Sequence, residues 1–330
     1  MTKKKTLRVA LLLGGDSSER AISLLTGVAL RDALRAPRFD VEVFDVASHP
    51  QKESVDGATF LGWNALAADL KSRGFDVVLN ALHGGWGEDG TVQTLLEVAG
   101  LPFVGTPALG SRVAMDKALC KLLMRENGLV VPRGEIVSDA NAPLLYSGNC
   151  VVKPNDGGSS VGVSILRNAT EAQWRDVLQN ALSDEDRVLD SRVLVEELID
   201  GVEVSAPVLG AGASSQALPV IEIVPKLGEG WYDFEAKYAT GGSQHLIPPR
   251  LPVEVQERVR EYSKRAHLVL GCRGVSRSDF IVKADGTPVF LETNTLPGMT
   301  STSLVPDAAR AMGLSFPQLV ERLVMSALEN

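Results

Sequence analysis

The stretch LRVALLLGGDSSER, residues 7–20, decides the fold. Apart from Arg8, residues 7–13 are apolar with no polar alternation, the pattern of a strand buried on both faces, as in a parallel sheet. Gly14 and Gly15 then turn the chain, and DSSER leads into a helix. Further apolar runs at 41–46, 75–82 and, more briefly, LPFVG at 101–105 alternate with amphipathic segments. Strands alternating with helices make βαβ units and a parallel sheet. Residues 1–106 therefore read as a doubly wound unit whose ligands sit at the carboxyl ends of its strands.

The rest of the chain changes character twice. SRVAMDKALCKLLMRENG, 111–128, reads as one helix closed by Gly128. Strand-like runs follow at 129–137 and 149–153, then the loop NDGGSS, a strand at 161–166 and a helix near 170–182. From about 192 the strands lengthen, at 192–199, 202–210, 217–224, 275–283 and 287–292. A helix at 252–270 interrupts them, and two short helices end the chain. The expected units are 1–106, 107–195 and 196–330, an α/β protein in which two α+β domains follow a parallel-sheet domain. Neither an internal repeat nor a low-complexity segment is present.

Composition narrows the function. The 330 residues are 45% apolar and 22% charged, a soluble globular profile. The net charge of −8 argues against nucleic acid as a partner. Cys120, Cys150 and Cys272 are few and widely spaced, which implies neither a disulfide framework nor a zinc site and fits a reducing compartment. LRVALLL is too short for a signal peptide, and no apolar run nears the roughly 18 residues of a membrane span. A cytoplasmic enzyme, with no membrane partner, is the expectation.

Three stretches carry chemistry, each with a plainer alternative. VVKPNDGGSSVGV, 151–163, ends a strand on Lys153 and continues into a loop whose glycines admit an anion to backbone N–H groups. Otherwise it is a hairpin with a surface lysine. It is not a Walker motif, and no dinucleotide fingerprint follows the first strand. ALHGGWGEDG, 81–90, sets His83 at a strand's carboxyl end; otherwise Glu88 and Asp89 simply open a helix. In GGDSSER, Ser17 or Ser18 is a candidate helix cap, with Glu19 in the first turn facing the same crevice. FLETNTLPGMTSTSL, 290–304, paired with VSRSDFIV, 275–282, brings Asp279, Glu292 and Asn294 onto one sheet surface beside Arg277. Hard oxygen donors without His or Cys suit Mg²⁺ or Mn²⁺; the alternative is an exposed polar face. Ser303 is a natural N-cap with Pro306 in the first turn, and a helix N-terminus is a carboxylate site.

With these residues in view, the chain resembles the D-alanine–D-alanine ligases of the ATP-grasp superfamily. The resemblance runs from about residue 8 to the C-terminus through LLGGDSSERAISL, ALHGGWGEDGTVQ, MDK, VVKPNDGGSSVGV, VLVEELIDGVEVS, YDFEAKY, SRSDF and LETNTLPGMTSTSLVP, in that order. It implies a three-domain ATP-grasp architecture, a homodimer, and use of ATP with two Mg²⁺ (Mn²⁺ substituting) to join two D-alanines for peptidoglycan. It further implies that Lys117 and Lys153 bind ATP phosphates under the 157–162 loop, including Gly157, Gly158 and Ser160. Glu196 lies along the adenine–ribose side, Glu203 at the ribose and Lys237 at the γ-phosphate. Asp279, Glu292 and Asn294 hold the metals. Glu19 takes the ammonium of the first D-alanine beside His83 and is hydrogen-bonded to Ser159 and Tyr238. Arg277 and the backbone of Gly298 meet the oxyanion, and Ser303 and Leu304 take the second carboxylate. Thr302 and Leu296 depart from the histidine and serine that some members carry, which bears on fine substrate contacts.

The reaction the resemblance implies has two steps, acyl phosphate formation and attack by the second amine. An acyl phosphate is water-labile, so a lid is expected, with EAKYATGGSQHLIPPR, 235–250, the candidate. Two rivals remain at this stage. One is an ATP-grasp ligase for D-lactate or another amino acid; the other is a silent nucleotide-binding regulator, which would not need the intact Asp279, Glu292 and Asn294 set.

Overall fold

The computed structural model describes residues 6–157, 162–183, 192–226 and 242–329. The first sheet is wholly parallel. Strand β1 (Leu7–Gly14) lies between β2 (Phe39–Ala47) and β4 (Val77–Asn80), and β3 (Thr59–Gly62) and β5 (Phe103–Val104) form the edges, in the order β3-β2-β1-β4-β5. Strand β3 is the one the apolar pattern did not announce: it is a four-residue edge with two exposed side chains. Helices α1 (Arg20–Ala33), α2 (Leu66–Arg73) and α3 (Thr91–Ala99) supply the crossovers. The strand order reverses between β1 and β4, so the loops after these two strands flank one crevice. That crevice receives Glu19 and His83.

One expected helix is two. Helix α4 (Ala108–Met115) stops at Asp116, whose ψ of 96° leaves helical geometry, and α5 (Lys117–Glu126) restarts there with the Asp116 carboxylate accepting from Leu119 N at 3.0 Å. An aspartate that caps the next helix outcompetes continuation of the last one. Lys117 thereby becomes the first residue of a helix instead of a mid-helix position. The run at 129–137 likewise yields only β6 (Gly134–Val137), with Val130 making an isolated bridge to Val289.

The second sheet is antiparallel, in the order β6-β9-β7-β8, with β7 (Cys150–Pro154), β8 (Ser164–Leu166) and β9 (Val193–Glu197). Helix α6 (Glu171–Ser183) covers it by burying Trp174 and Leu178 against Val152, Val193 and Val195. The third sheet holds β10 (Val202–Ala211), β11 (Gln216–Ala217), β12 (Ile221–Pro225), β13 (Ser243–Leu246), β14 (Arg273–Val282) and β15 (Pro288–Asn294), in the order β13-β12-β10-β14-β15 with β11 beside β10. Pro219 separates β11 from β12, which the sequence pattern joined. Helix α7 (Val253–Val269) packs on this sheet. The last helices, α8 (Leu304–Ala311) and α9 (Phe316–Ser326), bury Val305, Ala308, Leu319 and Leu323 in the same cluster as Val9, Leu11, Leu13 and Leu79 of the first sheet. That contact brings the N-terminus of α8 to the β1–β4 crevice. The three cysteines are free and buried. No helix among the described residues is long and apolar enough to cross a membrane.

His267 on α7 is fully buried, with Nε2 3.2 Å from the Gly210 carbonyl oxygen and Nδ1 2.7 Å from Ser276 Oγ. A carbonyl only accepts, so Nε2 carries the proton and the Ser276 hydroxyl donates to Nδ1. Burial takes this imidazole down to about 4 from an ordinary 6.5. The unfolded chain therefore binds a proton at pH values where the folded chain does not. Stability is whole above pH 6.5 and is lost as pH falls toward 4, by about 3 kcal/mol at roughly 1.4 kcal/mol per unit. Urea titrations at pH 7 and 4.5 will show a smaller acid loss for His267→Gln, which keeps a donor and an acceptor but does not titrate. Equal losses in the two proteins would refute this.

Candidate functional site

Two cavities lie end to end in the cleft between the sheets. The smaller is walled by Glu19, His83, Arg277, Asn294, Gly298, Ser303 and Leu304. The larger, about 440 Å³, is walled by Lys153, Glu196, Glu203 and Asp279 with apolar surface from Val151, Ile165, Leu198 and Leu291. Lys117, Gly157 and Glu292 line both. A group passed from an occupant of one cavity to an occupant of the other crosses at those three residues.

The smaller cavity is built from loop ends. Glu19 is the N-cap residue of α1 and is buried. Ser17 holds its backbone in place: the Ser17 hydroxyl donates to the His83 carbonyl at 2.5 Å and accepts from Glu19 N at 3.2 Å. The serine thus ties the two loops together and does not cap the helix with its side chain. His83 meets Thr26 Oγ1 at 3.0 Å through Nε2 and Glu88 Oε1 at 3.3 Å through Nδ1. Glu88 also accepts from Gly84 N at 3.1 Å, so it braces the histidine loop; it lies outside the first turn of α3. Beside it, Arg20 grips Asp45 through two bonds of 2.9 and 2.7 Å. Gly14, with φ +93°, is required there: a Cβ would lie 2.1 Å from Asp45 Oδ1.

Opposite stands the β14–β15 ladder. It pairs Asp279 with Glu292 and Arg277 with Asn294, but Phe280 with Phe290. Leu291 is therefore a bulged residue. Without the bulge, strict alternation would set Phe290 on the same face as Glu292 and Asn294. With it, Phe290 meets Phe280 edge-on in the core, at 5.7 Å between ring centroids, while Leu291 and Glu292 both reach the cleft. Asp279 accepts from Ser205 Oγ at 2.6 Å and from Arg277 Nε and a guanidinium NH2 at 2.9 and 2.7 Å. Asn294 Oδ1 accepts from Leu296 N at 2.8 Å. Among the described residues no three His, Cys, Asp or Glu side chains form a metal-binding group. The candidate set instead has two carboxylates on one rung of the ladder and an amide two residues on, and these hard oxygens fit Mg²⁺ or Mn²⁺.

The cations are arranged around one acid. Lys117 Nζ donates to the Gly157 carbonyl at 2.5 Å and stands 3.8 Å from Glu292. Glu196, 2% exposed, accepts from Lys153 at 2.6 Å on one oxygen and from Lys121 on the other. Burial presses the Glu196 carboxyl upward, but the two ammonium groups outweigh it and hold the pKa below the usual range. Burial lowers Lys121 from its ordinary value, while Glu196 beside it favours the charged form. Burial also opposes Lys153, but Glu196 and Glu292 hold it above its ordinary value. Nearby, Glu222 is buried and accepts from Arg250 N and Nε at 2.8 and 2.9 Å.

In the wall of the smaller cavity, Ser303 precedes α8 without a side-chain cap; its Oγ accepts from Thr300 N at 3.0 Å. Gly298 lies close by, where a Cβ would come 3.0 Å from Ser303 Oγ. Gly158, Ser159, Ser160, Lys237 and Tyr238 lie outside the described residues, as do 235–241 of the expected lid. Sequence reasoning missed Thr26, Glu88 as a brace, Lys121, Ser205 and the Glu222–Arg250 pair. Of these, Lys121 alone had a local signal: it is four residues past Lys117 and on the same helix face.

Residues 8–106 match the family description "D-ala D-ala ligase N-terminus" and residues 123–325 match "D-ala D-ala ligase C-terminus". The D-alanine–D-alanine ligase of Cupriavidus taiwanensis is 40% identical over 97% of this chain and 91% of its own. That of Anaeromyxobacter sp. (strain K) is 42% identical over 97% and 96%. Among solved structures, the Bacillus anthracis D-alanine–D-alanine ligase complexed with ATP has a TM-score of 0.76 at 28% identity, covering 98% of both chains. The VanG D-Ala:D-Ser ligase of Enterococcus faecalis has a TM-score of 0.78 at 28% identity, covering 98% of this chain and 100% of that one. The fold is thus that of the ATP-grasp ligases, and the chain belongs to the D-alanine–D-alanine ligase family.

Proposed function

We propose that the chain joins two D-alanines into D-alanyl-D-alanine, converting ATP to ADP and phosphate by way of a D-alanyl phosphate. The observation that carries the reading is the pair of cavities meeting at Lys117, Gly157 and Glu292. The larger takes the nucleotide, with its apolar walls on the base, Glu196 and Glu203 toward the sugar side, and Lys153 and Lys117 on the phosphates together with Gly157, Gly158, Ser160 and Lys237. The smaller takes the amino acids.

Glu19 binds the ammonium of the first D-alanine, with His83 alongside and Ser159 and Tyr238 joined to it. A carboxylate oxygen of that D-alanine forms a bond to the γ-phosphorus while the bond to ADP breaks. The second amine then attacks the acyl carbon, sheds a proton, and phosphate leaves as the C–O bond breaks. Arg277 and the Gly298 backbone meet the charge that grows on the carbonyl oxygen. Ser303 and Leu304, at the start of α8, hold the second carboxylate. Asp279, Glu292 and Asn294 would hold two Mg²⁺, with Mn²⁺ able to substitute; bound there, the ions neutralise phosphate charge. The Arg277 guanidinium pairs with Asp279, which keeps both charges paired. The lid expected at 235–250 would exclude water from the intermediate; within it, Ser243–Leu246 is strand β13, paired with β12.

We further propose a cytoplasmic homodimer and three units, with the second boundary set after Glu197 because β9 spans residue 195. Homodimeric state rests on the family alone and is read by sedimentation.

The test is phosphate release with D-alanine as the sole amino acid and identification of the product. Offered D-alanine, D-serine and D-lactate together at neutral pH, the enzyme will make mainly D-alanyl-D-alanine. A mainly D-Ala-D-Ser or ester product would overturn the acceptor assignment.

Glu292→Gln keeps the shape and removes the charge. Because the Glu292 side chain is 31% exposed and Lys117 keeps its bond to the Gly157 carbonyl, the fold will survive the change. Turnover will fall on the order of a hundredfold or more, as when a group that stabilises a charged transition state is removed. Near-normal turnover at ordinary Mg²⁺ would sink the metal assignment.

A further inference from the structure

Lys121 has no part in the mechanism above, yet it is buried and its ammonium lies on Glu196. It does not line the nucleotide cavity, whereas Lys153 and Glu196 do. The three groups come from three elements. Strands β7 and β9 pair Val151 with Glu196 and Lys153 with Leu194, so Lys153 and Glu196 are diagonal neighbours on one face. Helix α5 presents Lys117 and Lys121 four residues apart on one side. Like charges at that spacing repel, and here each has its own acid, Glu292 for Lys117 and Glu196 for Lys121.

The charge count is what matters. One carboxylate with two ammonium groups leaves one net positive charge in the cavity wall. Glu196 with Lys153 alone would leave none. An ammonium spent on a buried carboxylate is a poor phosphate ligand, because breaking that pair strands a desolvated anion. With Lys121 on the other oxygen, Glu196 stays paired when Lys153 turns to a phosphate.

We propose that Lys121 is a positioning residue for phosphate capture: it neutralises Glu196 and so frees the charge of Lys153 for the nucleotide's phosphates. This rests on the reading of the larger cavity as the nucleotide site and deepens it.

The experiment measures binding of ADP with Mg²⁺, and of adenosine, by calorimetry. Lys121→Gln keeps a hydrogen-bond donor to Glu196 and loses the charge. It is expected to weaken ADP about tenfold or more, the scale of one charged hydrogen bond, and to leave adenosine unchanged. Lys121→Arg will retain ADP affinity. In Lys121→Gln/Glu196→Gln the affinity for ADP relative to adenosine will recover toward the wild-type ratio, since Lys153 then has no carboxylate to hold it. A purely structural lysine would show the opposite: Gln would be tolerated, or adenosine and ADP would weaken together, and either result overturns the proposal. Failure of the double variant to recover overturns it too. Lys153→Met separates the two readings. If that variant binds ADP as well as the wild type, the cavity is no phosphate site and both readings fall. If it loses ADP while Lys121→Gln does not, only the role of Lys121 falls.

Discussion

A carboxylate taken out of water needs a cation or several donors at once, and the cleft is organised by that demand. Asp45 has Arg20, Glu196 has Lys121 and Lys153, Glu222 has Arg250, and Asp279 has Arg277 and Ser205. These acids come from all three sheets. Each ion pair therefore fixes a loop or strand end as well as a charge. The arrangement also explains how so many ionisable groups coexist before any ligand arrives.

The second controlling feature is a single extra residue. The bulge at Leu291 lets one strand satisfy two incompatible requirements, an aromatic core contact at Phe290 and a polar face at Glu292 and Asn294. Period-two alternation serves one or the other. The same extra residue turns Leu291 toward the larger cavity, next to Glu292. An apolar wall and an acid of that cavity thus arise from consecutive positions.

This separates what was legible in the sequence from what was not. The run at 7–13, apolar without a break from Val9, sufficed for a parallel sheet, because only burial on both faces tolerates it, and the crevice beyond β1 and β4 followed from topology. The polar face of β14 and β15 was legible from Arg277, Asp279, Glu292 and Asn294, although the bulge that makes it possible was not, since register depends on the partner strand. Local competition escaped the pattern too. Asp116 broke an apparently continuous helix because its carboxylate finds an amide three residues on. Glu88 looked like a helix-opening acid and proved to brace His83, which depends on the tight turn at Gly84 and Gly85. Thr26, Ser205 and Glu222 act across 57, 74 and 28 residues of sequence, beyond any local spacing rule.

Fold alone does not choose the acceptor, since a D-Ala:D-Ser ligase and a D-alanine–D-alanine ligase are comparably near neighbours in structure. With the second carboxylate placed at the start of α8, as proposed, the physical reason is that D-alanine, D-serine and D-lactate all carry one. Discrimination must come from what surrounds the rest of the acceptor. A site without a partner for a hydroxyl rejects a hydroxyl-bearing analogue only modestly, on the order of a hundredfold. Rejecting one that lacks the amine depends on the nucleophile itself. The residues around the α8 entrance, Thr300, Thr302 and Ser303, already spend hydroxyls on one another, with Ser303 Oγ 2.9 Å from Thr300 Oγ1 and Thr300 Oγ1 3.3 Å from Thr302 Oγ1. A serine side chain arriving there would have to compete for those bonds, whereas the methyl of D-alanine asks for none. That asymmetry favours the smaller acceptor without any group dedicated to excluding the larger.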